Sequence, residues 1–179
     1  TILGNLYVGT NAGAVNTTGD FNTFVGVDSG RSNTSGRFNA FFGWGAGESN
    51  TNGEGNSVIG SFAGLSLTSG DFNTIVGRSA GQQTTTGSLN SFVGSFAGIE
   101  NIGGAENSYF GANAGRQNVS ADFNSFFGSN AGRNTTGASN SFFGASSGQD
   151  NTTGIDNAFF GVNTGRGNTT GSRNSYFGR

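Results

Sequence analysis

Asn124-Ser125-Phe126-Phe127-Gly128-Ser129-Asn130-Ala131-Gly132-Arg133-Asn134-Thr135-Thr136-Gly137 is one copy of a unit that fills the chain. The asparagine that heads it recurs at Asn5, Asn22, Asn39, Asn56, Asn73, Asn90, Asn107, Asn124, Asn140, Asn157 and Asn174. Nine of those intervals are 17 residues and one, from Asn124 to Asn140, is 16. A short fixed period marks a repeat architecture, in which each unit is one coil that buries its apolar side only by stacking on its neighbours.

With the head Asn as position 0, the unit reads Asn, small residue, apolar, apolar, Gly, two variable residues, small, Gly, and then a polar Asn-Thr-Thr-Gly turn. Gly occupies +4 in every copy, from Gly9 to Gly178, and +8 in every copy that reaches it, from Gly13 to Gly165. A third Gly closes the polar turn, with Ala121 the exception. Glycine at fixed sites marks backbone that needs positive φ or close approach, as at solenoid corners. In a helix each would cost about 1 kcal/mol, with no 3.6-residue apolar stripe to offset it. The apolar pairs, such as Val58-Ile59 and Phe126-Phe127, are β-branched or aromatic and favour short strands.

The expectation is an all-β fold: a parallel β-solenoid (β-roll or β-helix) of about ten 17-residue coils. Each coil would hold a strand of about five residues, a corner, a second short strand and a Thr-rich turn, stacking at ~4.8 Å into a rod roughly 50 Å long. Residues 1–179 form a single repeat domain that starts and ends inside a repeat, which reads as a segment of a longer array.

Composition agrees. The chain has 35 Gly and 18 Phe but no Pro, Cys, Met or His, and every basic residue is Arg. Hydrophobic residues make up 32% and charged ones 10%, too few for an ordinary globular core. Recurring Phe and low charge also argue against solvated disorder. The net charge of -2 gives no electrostatic reason to expect nucleic acid or an anionic membrane. No apolar run approaches the ~18–20 residues of a membrane helix, so no membrane insertion is expected.

Adjacent strand residues point to opposite faces, so one member of the +2/+3 pair should fill the coil and the other face outward. All three tyrosines fall at +2, which places +2 outside and +3 inside. The resulting stripe of Tyr7, Phe24, Phe41, Val58, Ile75, Phe92, Tyr109, Phe126, Phe142, Phe159 and Tyr176 exceeds the ~300–600 Å² apolar patch of a soluble monomer. It is the expected interface of a homo-oligomer, with a threefold rod as the simplest cyclic solution.

Equal positions stack, so charges in successive coils test the architecture. Arg37 followed by Glu54, and Asp156 by Arg173, alternate in sign; Glu54 to Asp71 and Arg116 to Arg133 do not.

Units such as Asn140-Ser141-Phe142-Phe143-Gly144, with Gly148 and Asn151-Thr152-Thr153-Gly154, resemble two related groups. One is the head repeats of trimeric autotransporter adhesins, which run Asn-Ser-Val-Ala-Ile-Gly and form a trimeric left-handed β-roll. The other, closer in period and in its Asn-Thr-Thr-Gly turn, is the repeat array of bacterial surface and phage tail-fibre proteins that carry an endosialidase-type chaperone domain. The resemblance covers the whole chain and implies architecture more than ligand. The adhesin-head unit is shorter and alternates its apolar residues instead of pairing them, and no stalk coiled coil, membrane anchor or chaperone domain is read in these residues.

Catalytic chemistry has little to work with. Without His, Cys or Lys the usual nucleophile–base pairs and soft metal sites are missing. Asp20, Asp71 and Asp122 share position -2 three coils apart, or ~14 Å at the coil spacing, too far for a glycosidase pair. No enzyme activity and no cofactor are expected. The Gly-Gly-x-Gly-x-Asp calcium repeat is missing as well, leaving only isolated carboxylates such as Asp28 and Asp150 for an ion. Gly43-Trp44-Gly45 lacks the Lys and the strand–helix setting of a phosphate loop.

Asn16, Asn33, Asn118, Asn134, Asn151 and Asn168 head N-glycosylation sequons, against the plainer reading that Asn and Thr cap tight turns. Thr17, Thr34, Thr51, Thr85, Thr135, Thr152 and Thr169 would stack as a ladder of the kind ice-binding solenoids carry, although in a turn. Trp44, the single tryptophan, is a corner filler or a sugar platform.

The function expected is therefore a structural, non-enzymatic rod or head of an extracellular adhesin or tail fibre, at a cell surface or on a virion. Its partners would be copies of itself, with end-to-end fibril growth an open route, and a host-surface glycan or protein. The alternative is a monomeric ligand- or ice-binding solenoid, or a self-assembling extracellular fibril subunit.

Overall fold

The computed structural model describes residues 4–178; residues 1–3 and 179 of the expected domain lie outside the described residues. Eleven strands, from β1 (Leu6–Val8) to β11 (Ser175–Phe177), form one parallel sheet in chain order. Each strand occupies +1 to +3, and the register advances by one repeat per coil, as in Phe126↔Phe142. The chain is thus a β-solenoid whose period is the sequence period.

Each coil holds one strand of three residues among the described residues, not a five-residue strand and a second one. The backbone gives the reason. Left-handed residues interrupt the extended path at -1, +6 and +8, as at Phe123 (φ 60), Asn130 (φ 58) and Gly132 (φ 56). Between them the N–H groups alternate between turn and coil-to-coil bonds: Ala131 donates to Gly128 O at 3.1 Å, and Gly132 to Ser147 O of the next coil at 2.9 Å.

The sheet's inner face is position +2. Phe24, Phe41, Phe92, Tyr109, Phe126, Phe142 and Phe159 are fully buried, with Val58 and Ile75 among them. Their rings stack through successive coils, 4.9 Å apart from Tyr109 to Phe126 and 5.0 Å from Phe126 to Phe142. The small residue at +7, Ala46 or Ala131 for example, completes this core. The orientation deduced from the tyrosines is therefore reversed: +2 is interior and +3 is exterior. The eleven residues assigned to an intersubunit interface line the inside of the rod, with only the end-coil members Tyr7 and Tyr176 partly exposed.

The Asn at position 0 shares that interior, and its amide is satisfied there. Asn39 N–H donates to Asn22 Oδ1 at 3.0 Å, while Asn39 Nδ2 donates across the coil to Gly53 O at 2.7 Å. Repeated through the chain, this links successive coils on one side and closes each coil on the other. Such complete pairing is what permits a column of buried amides.

The 16-residue coil breaks the pattern. Thr136, not Thr135, keeps the ladder bond to the next coil, donating through Oγ1 to Thr152 O at 2.9 Å. Thr135 occupies the buried site that Asn holds in most coils and Leu67 and Thr84 hold in two others, and Asn124 Nδ2 has no hydrogen-bond partner among the described residues.

Candidate interaction faces

The outer face of the sheet carries two kinds of column. At +1 stand small residues, mostly Ser, Thr and Ala. At +3 stand Val, Ile or Phe, and from Phe110 through Phe127, Phe143 and Phe160 to Phe177 five rings stack at 4.8–5.2 Å. Phe42 and Ile59 of this column are 38% and 46% exposed.

Just ahead of the strand, at -1, five coils carry a second exposed apolar side chain, where the others hold Gly, Ser or a charged residue. Phe21, Phe38, Phe72 and Phe123 at -1 are 57–61% exposed, and Leu89 is comparable. All five adopt positive φ, between 56° and 60°. Left-handed backbone costs an L-residue about 1–2 kcal/mol, and exposure adds no compensating burial. The recurrence of Phe at -1 was visible in the sequence; its strained backbone was not.

Trp44 is 56% exposed and tilts against Phe62, with ring centroids 4.7 Å apart. Two coils on, Arg78 lies over the Phe96 ring at 5.5 Å. Charges mostly pair between neighbouring coils: Arg31 with Glu48 at 2.5 Å, Arg37 with Glu54 at 3.2 Å, and Arg173 with Asp156 at 3.9 Å. The like-charged neighbours Glu54 and Asp71 are reconciled through the backbone, since Asp71 Oδ1 accepts the Glu54 N–H at 2.7 Å. Asp122 caps Ala105 N–H in the same way. Asp28 faces Asn11 and Arg31, and Asp150 faces Asn134 and Arg166, so both carboxylates meet donors. No cluster of three or more metal-ligating side chains occurs among the described residues. No pocket is formed by them either, and no helix of theirs is long and apolar enough to cross a membrane.

Three of the six sequon asparagines are inside the coil. Asn33, Asn118 and Asn151 are fully buried, and each donates Nδ2 to the carbonyl of the residue that closes the turn, Gly36, Ala121 and Gly154. A glycan on that nitrogen would remove one donor and needs space that the core lacks. Asn16 and Asn168 are half-buried ends of the same column, bonded to Gly19 and Gly171. Asn134 sits outside that column because its coil is one residue short, and donates to Asp150.

The Thr ladder runs through Thr17, Thr34, Thr51, Thr68 and Thr85. Each hydroxyl donates to the main-chain carbonyl at the same position of the next coil, at 2.9–3.2 Å. Ile102 and Val119 interrupt it. Its hydroxyls are engaged with the chain.

Tyr109 is the one fully buried phenol. Burial pushes its pKa far above the ordinary value; the Asn118 amide acts in the opposite direction, and Asp122 adds to the rise. Asn118 Nδ2 donates to the phenol oxygen. Tyr7 is also raised, first by burial and then by Asp20.

Comparison with protein-family models, with curated proteins and with solved structures found no match to this chain.

Proposed function

We propose that the chain is a structural, non-enzymatic module: the rod or head of an extracellular adhesin or fibre, at a cell surface or on a virion tail, assembled as a homotrimer. The observation that carries this reading is the uninterrupted eleven-stranded parallel sheet in chain order. Every added repeat becomes added length, roughly 4.8 Å per coil, and each coil is held only by its neighbours. Coils of one geometry also repeat related outer positions many times, so weak contacts to a host-surface glycan or protein would gain by multivalency. The resemblance of the repeat to adhesin heads and tail-fibre arrays points the same way.

Solution molar mass by light scattering on a sizing column tests the reading. About three times the 18.1 kDa chain mass supports it. A mass of one chain overturns it and brings forward the monomeric ligand- or ice-binding solenoid.

A further inference from the structure

If copies of the chain assemble, as that reading holds, the contact cannot use the +2 side chains, which are buried within each coil. Two exposed apolar columns remain: +3 on the outer face of the sheet, and -1 on its border. We propose that this face, with the +3 ladder and the -1 aromatics, is where copies of the chain meet, side by side and pointing the same way.

Area supports a protein-sized contact. Five residues at -1, each a little over half exposed, present on the order of 500 Å² if a fully exposed aromatic offers ~200 Å². The +3 column, whose members Phe42, Ile59, Phe110 and Phe160 are 37–46% exposed, adds on the order of 700 Å² over the length of the rod. The sum exceeds the ~300–600 Å² patch of a monomer and reaches the ~800 Å² that each partner gives to a standard interface.

Periodicity selects the partner. The +3 rings repeat at 4.8–5.2 Å beside a column of small +1 residues. An object that meets bulky and small positions in step along the whole rod must have the same rise per coil, and a second copy does. Parallel alignment then brings each coil opposite its own counterpart. The -1 position is left-handed whatever residue it holds, from Gly55 to Glu106, Asp156 and Arg173, so a bulky apolar side chain there is not required by the backbone. Phe21, Phe38, Phe72 and Phe123 therefore add exposed apolar surface, not backbone function, in their coils.

The absence of native Cys makes cross-linking a direct test. Phe127→Cys and Val76→Cys place a thiol on the outer face in different coils; Thr153→Cys places one in the exposed polar turn. A disulfide forms only where Cα atoms approach within ~7 Å. Circular dichroism first confirms that each variant is folded. Mild oxidation should give covalent dimers of the two face variants at least five-fold faster than of the turn variant. Phe72→Asn suits left-handed backbone and should keep the fold, while weakening association at least ten-fold. If the unmodified chain is multimeric yet Thr153→Cys cross-links as readily as the face variants, the face is wrong although assembly stands. Unchanged association of Phe72→Asn removes the -1 column from the contact. A monomeric unmodified chain overturns assembly and face together.

Discussion

The Phe126 ring rests against Gly132 so closely that a β-carbon on Gly132 would stand 2.5 Å from the ring. Gly132 also has φ +56, so an Ala there meets both a clash and a strained backbone. Left-handed strain costs about 1–2 kcal/mol and overpacking about 1–3 kcal/mol. Gly132→Ala should therefore destabilise the chain by on the order of 3 kcal/mol, read as a lower denaturant midpoint. Gly167→Ala is the control, because nothing lies within 4 Å of its would-be β-carbon. It should change stability by less than about 1 kcal/mol, with a gain expected from the stiffer unfolded chain.

The Asn column makes a second prediction. Asn73 Oδ1 accepts the Asn90 N–H at 3.0 Å, and Asn73 Nδ2 donates to Gly87 O at 2.9 Å. Asn73→Ala removes both partners from a buried site. Each stranded polar group costs about 1–3 kcal/mol, so a loss of roughly 2–5 kcal/mol is expected in equilibrium unfolding. Asn73→Asp keeps the acceptor but loses the donor and brings a charge into the core, so it should rescue little. A midpoint within error of the unmodified chain for either variant would refute this role of the column.

This column also explains what the sequence concealed. The repeat length, the parallel stacking and the glycine corners were legible, because period and glycine placement are backbone properties. The tyrosines at +2 point to an outward +2, and the structure reverses this because the Asn at position 0 is buried on the same side. Strand alternation puts 0 and +2 on one face, so the facing depended on where the amide could find partners. Those partners are distant along the chain: the Asn39 amide accepts the Asn56 N–H of the next coil and donates to the Gly53 carbonyl that closes its own. The tyrosines pointed the wrong way for a similar reason, since Asn118 meets the Tyr109 phenol inside the coil. The left-handed backbone at Phe72 was hidden too, because side-chain propensity alone argues against it.

Tyr109 should make the fold sensitive to alkali. Its folded pKa lies above the ordinary value of 10.0, so below pH 10 the phenol is protonated whether the chain is folded or unfolded. Above that pH the unfolded chain releases the proton and the folded chain holds it, which favours unfolding. Stability should fall by about 1.4 kcal/mol per pH unit beyond that point. Tyr109→Phe suits a column flanked by Phe92 and Phe126, and Asn118 Nδ2 still has Ala121 O as an acceptor. At pH 7 the variant should lie within about 1 kcal/mol of the parent. At pH 11 it should be the more stable of the two by thermal melting; equal melting temperatures there would show that Tyr109 does not carry the alkaline response.

In a glycosylating secretion host, peptide mapping of the folded product should find Asn33, Asn118 and Asn151 unmodified. Their side chains are fully buried and committed to carbonyls within the coil. A folded fraction carrying a glycan at any of the three would contradict the inward orientation of this column.

The short coil yields a prediction of the opposite sign. Asn124 Nδ2 lacks a partner because the turn after Thr136 is one residue short, and Thr135 fills the site that Asn holds in most coils. Inserting one Ser between Arg133 and Asn134 restores the 17-residue period. Asn134 would then enter the buried column, Thr135 would take the outer ladder, and the Gly137 carbonyl would come within reach of the Asn124 amide. Relief of one buried unsatisfied donor is worth about 1–3 kcal/mol, and lengthening an exposed turn by one residue costs little. The insertion should therefore raise the denaturant midpoint, whereas the same Ser inserted between Arg116 and Gln117 of a regular coil should lower it. If both insertions destabilise equally, the short coil is not a local defect, and the Asn124 amide is satisfied by some other means.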